Sequence, residues 1–92
     1  MLTIVPATRF KRDLRKCARR NKDIDKLETI VNALQNTKPL DPRHRDHNLT
    51  GNWTGFRECH IEPDWLLIYR IDDDKSFLYL VRTGSHSDLF DE

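Results

Sequence analysis

Three histidines, His47, His60 and His86, are the residues of this chain best suited to moving protons, and each falls at or near an end of a strand-like segment. An unperturbed imidazole titrates near pH 6.5, so a pair can serve as general base and general acid close to neutrality. Cleavage of RNA needs such a pair. One group takes the proton from a 2′-hydroxyl, the other protonates the departing 5′-oxygen, and a cation stabilises charge on the phosphoryl oxygens. Arg82 is the candidate cation, and Glu58 and Asp64 lie close in sequence to His60. In a small meander, strand ends converge, so His47, His60, Asp64 and His86 are expected on one concave edge of a sheet. Phe90 follows the last strand in a polar tail, where an aromatic ring could stack on a base. The plainer reading of any one of these histidines is a surface or hydrogen-bonded structural residue.

No metal or other cofactor is expected. The positions 47, 60 and 86 match no compact zinc-ligand pattern. Cys17 and Cys59 belong to no Cys-x-x-Cys pair, which excludes a disulfide framework or zinc finger and leaves two small buried apolar residues.

The elements that must position these groups follow from apolar periodicity. Thr3 to Val5 is a short β-branched start, interrupted at Pro6, and Thr8 is a plausible helix N-cap. Phe10, Leu14, Cys17 and Ala18 then recur at helical spacing, with Arg and Lys on the other faces. A second helix begins at Asn21 or Asp23 and carries Ile24, Leu27, Ile30, Val31 and Leu34 as a buried stripe, making a helical hairpin. The stretch 38–47, with two prolines, reads as a loop. Beyond it the period becomes two: Phe56 to Ile61, Trp65 to Ile71 and Ser76 to Arg82 are strands of an antiparallel meander, with a polar turn at Asp72 to Lys75. Trp53, Trp65 and Phe56 feed the core. The order of elements gives an α+β fold, two N-terminal helices packed on a small antiparallel sheet.

The 92 residues leave room for one domain, 1–92, and 37% hydrophobic against 34% charged residues provide one modest core and argue against disorder. The longest apolar runs fall far short of the roughly 20 residues that cross a bilayer. No basic segment leads into a long apolar stretch at the start, so a cytoplasmic location is expected. The net charge of +1 hides a division: Met1 to Lys26 carries a net +6 and Leu27 to Glu92 a net −5. A basic face of this kind, with Arg12, Arg15, Lys16 and Arg19, can steer and hold a polyanion, or can simply be a solvated helix face.

The segments Asp46-His47-Asn48-Leu49-Thr50-Gly51-Asn52-Trp53, Phe56-Arg57-Glu58-Cys59-His60-Ile61-Glu62-Pro63-Asp64-Trp65-Leu66-Leu67-Ile68-Tyr69 and Arg82-Thr83-Gly84-Ser85-His86-Ser87-Asp88-Leu89-Phe90 resemble, in order and spacing, the YafQ-type branch of the RelE toxin superfamily. The likeness covers essentially the whole chain, including the basic hairpin and the Pro-Leu-Asp-Pro loop before Asp46. The resemblance implies a RelE-like fold and a bacterial type II toxin, an endoribonuclease that cuts messenger RNA in the ribosomal A site and is silenced by a cognate antitoxin. Carried over by motif, the catalytic positions fall on His47, His60, Asp64 and His86, with Phe90 placing the substrate and Glu58 and Arg82 at positions used for phosphate contact or proton transfer. Which histidine is base and which is acid stays open. A basic face at Arg12, Arg15, Lys16 and Arg19 would dock on ribosomal RNA. Two other readings compete: a non-catalytic RNA- or ribosome-binding module, and a DNA-binding regulator, which lacks a recognition-helix signature.

Overall fold

The structure, a computed structural model, describes residues 1–90. The chain opens with strand β1 (Thr3–Pro6) and turns into helix α1 (Thr8–Arg19) without a side-chain cap. Thr8 is therefore the first helical residue and not the N-cap. The reason is the strand before it: the Ala7 N–H donates to Leu80 O at 2.9 Å, so the sheet ladder runs up to the helix and Ala7 takes the cap position. For helix α2 (Ile24–Gln35) Asp23 is the cap, its carboxylate accepting from the Asp25 N–H at 3.1 Å. Asn21 instead adopts φ +60°, a left-handed conformation that asparagine tolerates, and so turns the chain between the helices.

Segment 38–47 is more ordered than a plain loop. It contains a 3-10 turn at Pro42–His44, capped by Asp41, whose carboxylate accepts from the Arg43 N–H at 3.0 Å. It then leads into a two-residue strand, β2 (His47–Asn48). After a second 3-10 turn at Gly51–Trp53 come strands β3 (Arg57–Glu62), β4 (Trp65–Asp72) and β5 (Phe77–Gly84) and a five-residue helix, α3 (His86–Phe90). The sheet order is β1-β5-β4-β3-β2. The expected antiparallel meander is its centre, β2 extends it antiparallel on β3, and β1 joins the far edge parallel to β5, with Thr3 opposite Phe77 and Pro6 opposite Leu80.

Both faces of β4 are covered, which explains its nearly unbroken apolar run. On one face Trp65, Leu67 and Tyr69 pack with Phe10 and Cys17 of α1 and with Leu27, Ile30, Val31 and Leu34 of α2. On the other, Leu66 and Ile68 meet Leu89, with the partly buried Leu49, Trp53, Phe56, Val81 and Phe90 around them. Trp65 thus belongs to the main core, and Trp53 and Phe56 to the second, smaller cluster. Truncating a side chain as buried as Leu67 to Ala costs about 2–5 kcal/mol. The polar atoms in the centre are matched: Trp65 Nε1 donates to Thr83 Oγ1 at 3.0 Å, and that hydroxyl donates to Leu66 O at 2.7 Å. Among the described residues no buried side-chain polar atom lacks a partner, and no helix is long and apolar enough to cross a membrane.

One irregularity bears on the site. His60 pairs with Leu66 and Glu62 with Trp65, so Ile61 is an extra residue, a bulge in β3. Bulges bend a strand and re-aim its side chains. Here Ile61 enters the helix-side core, and Glu62 reaches Lys22 and Lys26.

Candidate active site

Strand pleating puts Glu58 and His60, two residues apart, on one face of β3. The Glu58 side chain is buried, and its Oε1 lies 3.3 Å from His60 Nε2 and 3.9 Å from His47 Nε2. His60 Nδ1 faces Pro63 O at 3.3 Å, so both ring nitrogens of His60 have acceptors beside them. His47 Nδ1–H donates to Arg45 O at 2.5 Å, which leaves its Nε2 turned toward Glu58. The segment carrying His47 is tied down across β2: the Tyr69 hydroxyl donates to Asp46 Oδ1, Arg57 lies 3.3 Å from the other Asp46 oxygen, and Arg57 Nη1 donates to Asn48 Oδ1 at 2.7 Å. Burial pushes the Tyr69 hydroxyl well above its ordinary pKa, and the Asp46 carboxylate adds to it.

His86 arrives from the other end of the chain. Its Nδ1 sits 2.6 Å from Asp64 Oδ1, and the same oxygen accepts its backbone N–H at 2.9 Å. The backbone bond, and then the ring, hold the Asp64 carboxyl below its ordinary pKa. The bend before His86 requires glycine: Gly84 has φ +156°, and a Cβ there would lie 3.0 Å from both Cβ and Oδ2 of Asp88. Ser85 and Asp88 then cap α3 reciprocally, Asp88 Oδ2 accepting the Ser85 N–H at 3.0 Å and Ser85 Oγ accepting the Asp88 N–H at 3.1 Å. Arg20 Nη1 reaches Asp88 Oδ2 at 2.7 Å and Lys16 Nζ reaches Oδ1 at 3.3 Å, anchoring α3 to the basic helix. Burial alone would raise the Asp88 pKa, but the bonds from Arg20, Ser85 and Lys16 outweigh it and hold the carboxyl far below its ordinary value.

The result is a convergence of residues drawn from positions 47 to 86. The His60 and His86 ring centroids are 5.7 Å apart, and those of His47 and His60 are 6.4 Å apart. Two expected contributors sit otherwise than the sequence implied. Arg82 is largely buried and committed to Asp13 of α1, with Nε 2.6 Å from Oδ2 and Nη2 3.3 Å from Oδ1. Asp13 takes the Nε–H and one Nη2 N–H, so a phosphate contact through Arg82 is left to Nη1 and the second Nη2 N–H. Phe90 is part of α3 and not of a polar tail; its half-buried ring packs edge-on against Trp53, with centroids 6.2 Å apart. On α1, Arg12, Arg15 and Arg19 are exposed opposite the Phe10–Cys17 stripe and enter no ion pair among the described residues, whereas Lys16 turns to Asp88.

His44, which no motif or periodicity in the sequence singles out, donates Nδ1–H to His60 O at 2.6 Å and fastens the Pro42–His44 turn to β3. Asp88 is a second residue outside the expected set, the cap and anchor of α3. The Ser-x-x-Asp spacing after Gly84 was the available signal for a cap. Both thiols are buried; burial pushes Cys59 up to about 12 and also raises Cys17, so neither is poised as a nucleophile.

Ligand atoms of Glu58, His60 and His86 lie within 4.8 Å of one another, a spread that modest side-chain movement would close onto an ion at bonds of about 2.0–2.2 Å. The spacing along the chain gave no sign of this set, because β3 and α3 bring it together only in three dimensions.

Over residues 2–91 the chain matches the family described as bacterial toxin of type II toxin-antitoxin system, YafQ. It is 42% identical over 82 residues to the mRNA interferase toxin YafQ of Escherichia coli K12, covering 88% of this chain and 87% of that one. Its fold superposes on a metal-bound toxin from Helicobacter pylori with TM-score 0.93 at 43% identity, covering 98% of this chain and 100% of the other. On YafQ in the E. coli DinJ–YafQ complex the TM-score is 0.88 at 38% identity, covering 98% and 99%. Family match, sequence identity and fold agree over nearly the whole length, and the chain belongs to the YafQ family of bacterial type II toxin–antitoxin toxins.

Proposed function

We propose that this chain is an endoribonuclease, an mRNA interferase, that cuts messenger RNA by acid–base attack of a 2′-hydroxyl on the adjacent phosphodiester. The observation that carries the reading is the approach of the His60 and His86 rings, each beside its own carboxylate, from segments far apart in sequence. The E. coli relative named as an mRNA interferase supports it.

His86 has a carboxylate on Nδ1 only, so Nε2 is left to take the 2′-hydroxyl proton, and Asp64 stabilises the imidazolium that forms. His60, with Glu58 beside Nε2 and Pro63 O beside Nδ1, is the group that would give a proton to the departing 5′-oxygen. The 2′-oxygen bonds to phosphorus, the bond from phosphorus to the 5′-oxygen breaks, and the products are a 2′,3′-cyclic phosphate and a 5′-hydroxyl. His47 borders the same carboxylate and supplies a third imidazole near the phosphate. Phe90 stays a candidate for substrate placement through the Trp53 surface it packs on. A metal ion on Glu58, His60 and His86 would supply Lewis-acid charge stabilisation, but it would take the ring lone pairs that proton transfer uses, so the two uses exclude each other at one moment.

The message would be cut in the ribosomal A site, in the cytoplasm, with the exposed stripe of Arg12, Arg15 and Arg19, extended by Lys16, on ribosomal RNA. A cognate antitoxin would silence it, as the solved complex of the E. coli relative with DinJ supports.

The test is inducible expression in bacteria, comparing wild type with His86→Ala for growth arrest, mapped cuts in messages and end groups, with purified cleavage repeated in EDTA. Cuts with 5′-hydroxyl ends that persist in EDTA are expected. Activity that EDTA abolishes and added metal restores, or 5′-phosphate ends, would rule out the acid–base route; ribosome binding with no cuts would point to a binding module. Docking has its own test. Changing Arg12, Arg15, Lys16 and Arg19 to Gln is expected to weaken ribosome association and flatten its salt dependence, because fewer counterions are released. Unchanged binding at low and moderate salt would make the stripe a solvated helix face.

A further inference from the structure

A cavity of about 730 Å³ opens between α2, the Pro42–His44 turn and the turn joining β3 to β4. It is continuous with the site, since His60 and Asp64 line it, yet none of the chemistry above uses it. We propose that this groove is a second nucleotide subsite, which takes the base and phosphate of the RNA residue next to the scissile phosphodiester. The inference deepens the endoribonuclease reading and rests on it.

Charge, surface and attachment all favour that occupant. Glu62 lines the groove, but its charge is met by Lys26 at 2.9 Å and Lys22 at 3.4 Å. The cations left at the rim are Arg43 and Arg45, both exposed; Arg43 has only a 4.0 Å approach to Asp41. Two guanidiniums at the mouth of a groove suit a phosphate, which they can bind through paired N–H donors. Between them and α2 the exposed Thr29 and Pro63 stand beside the edges of the buried Ile30 and Ile61, and the Pro63 ring offers an apolar face against which a base can lie. The volume is within the roughly 300–1,000 Å³ of sites that enclose small ligands.

The arginines are also held in register with the chemistry. They flank His44, whose ring nitrogen donates to the carbonyl of His60, the residue before the β3 bulge. Arg45 takes a left-handed φ of +47° at the end of the turn. The Asp41 cap, the His44 latch and this backbone bend place both cations at a set offset from the His60 imidazole. A phosphate held there would hold its neighbour at the histidines, which is the positioning that in-line attack requires.

The test uses the whole toxin and a short single-stranded RNA whose 2′-hydroxyl at the cleavage position is replaced by hydrogen, so that it binds uncut. In NMR titrations the amide resonances of Thr29, Ile30 and Ile61 are expected to shift in step with those of His60 and His86. Arg43→Gln with Arg45→Gln is expected to weaken binding about tenfold, as for two partly exposed charge contacts. It should also lower the log–log salt slope by about 0.7, the value for one phosphate of a single strand. Thr29→Trp, which fills the groove without removing a charge, should weaken the same RNA while leaving unchanged the binding of a dinucleotide confined to the histidines. The subsite is overturned if Thr29, Ile30 and Ile61 do not move at millimolar RNA, or if the double variant keeps wild-type affinity and salt slope. A wild-type toxin that fails to cut messages would instead defeat the endoribonuclease reading, and the titration reports on the groove separately from that result.

Discussion

The two histidine–carboxylate pairs are built in opposite ways. Glu58 and His60 are neighbours on one face of one strand, backed by the most buried strand of the sheet, and Glu58 is only 5% exposed. Asp64 and His86 come from a turn and from the first residue of a five-residue helix, and the Asp64 side chain is 68% exposed. The strand pleat and the core preorganise the first pair. The second is positioned by a series of small devices: a glycine bend, a reciprocal cap, and ion pairs from Asp88 to Arg20 and Lys16. Similar chemistry can thus be held by packing or by charge, and the two respond differently to mutation and to solution conditions.

The largest expected effect is on the exposed pair. His86→Ala should slow single-turnover cleavage about 10²- to 10⁴-fold with folding and ribosome binding nearly intact, the usual range for losing one proton-transfer group. A wild-type rate in a correctly folded, saturating sample would remove His86 from the mechanism. Next comes the contrast of carboxylates. Glu58→Gln, which withdraws a charge-assisted hydrogen bond in a buried setting, should cost about ten- to a hundredfold in the same assay. Asp64→Asn, in solvent, should cost about fivefold. Equal losses would mean that burial does not distinguish the pairs.

A smaller effect tests the root of the exposed side. Thr83 ends β5 just before the glycine bend, and Thr83→Val strands the Trp65 indole N–H and should destabilise the fold by about 1–3 kcal/mol. Thermal melts read this directly, with a shift of roughly 4–8 °C per kcal/mol for a chain of this size. An unchanged melting temperature would show that the indole finds another acceptor. The subtlest expectation is in acid. Because the folded state holds the Asp88 carboxyl below its ordinary value of 3.8, the unfolded chain takes up that proton first as pH falls. The stabilisation is complete above that value and is lost at more acidic pH. Asp88→Asn should therefore show a shallower fall of melting temperature between pH 5 and pH 2 than wild type. Parallel curves would mean that the anchor contributes nothing through charge.

Much of the frame was legible in the sequence because it rests on local repetition. The apolar stripes of α1 and α2, the alternating segments from Phe56 to Ile61 and from Ser76 to Arg82 and the apolar run between them are read from near neighbours, and their ends place His47, His60 and His86 toward one edge. What escaped depends on encounters across the chain. Arg82 offers the same five N–H donors to a phosphate or to Asp13, and only the packing of α1 on β5 reveals that Asp13 takes two of them. Phe90 looked free in a polar tail because nothing local announces the Trp53 ring beneath it. Thr8 has the chemistry of a cap, but the pull of Leu80 on the Ala7 N–H set the helix start one residue earlier. His44 sits in a loop where no periodicity gives a histidine a partner.

The parallel pairing of β1 with β5 has a consequence for the order of events during synthesis. Thr3 to Pro6 are made well before Phe77 to Leu80 and have no strand to lie against until those residues follow, and such distant pairing forms late. The strand they wait for is also the one that ends in Gly84 and delivers His86. Closing the sheet and completing the set of imidazoles are therefore one event. A nascent chain that stops short of β5 has neither a finished edge nor the His86–Asp64 pair, and only His47, His60 and Glu58 of the cluster are yet in place.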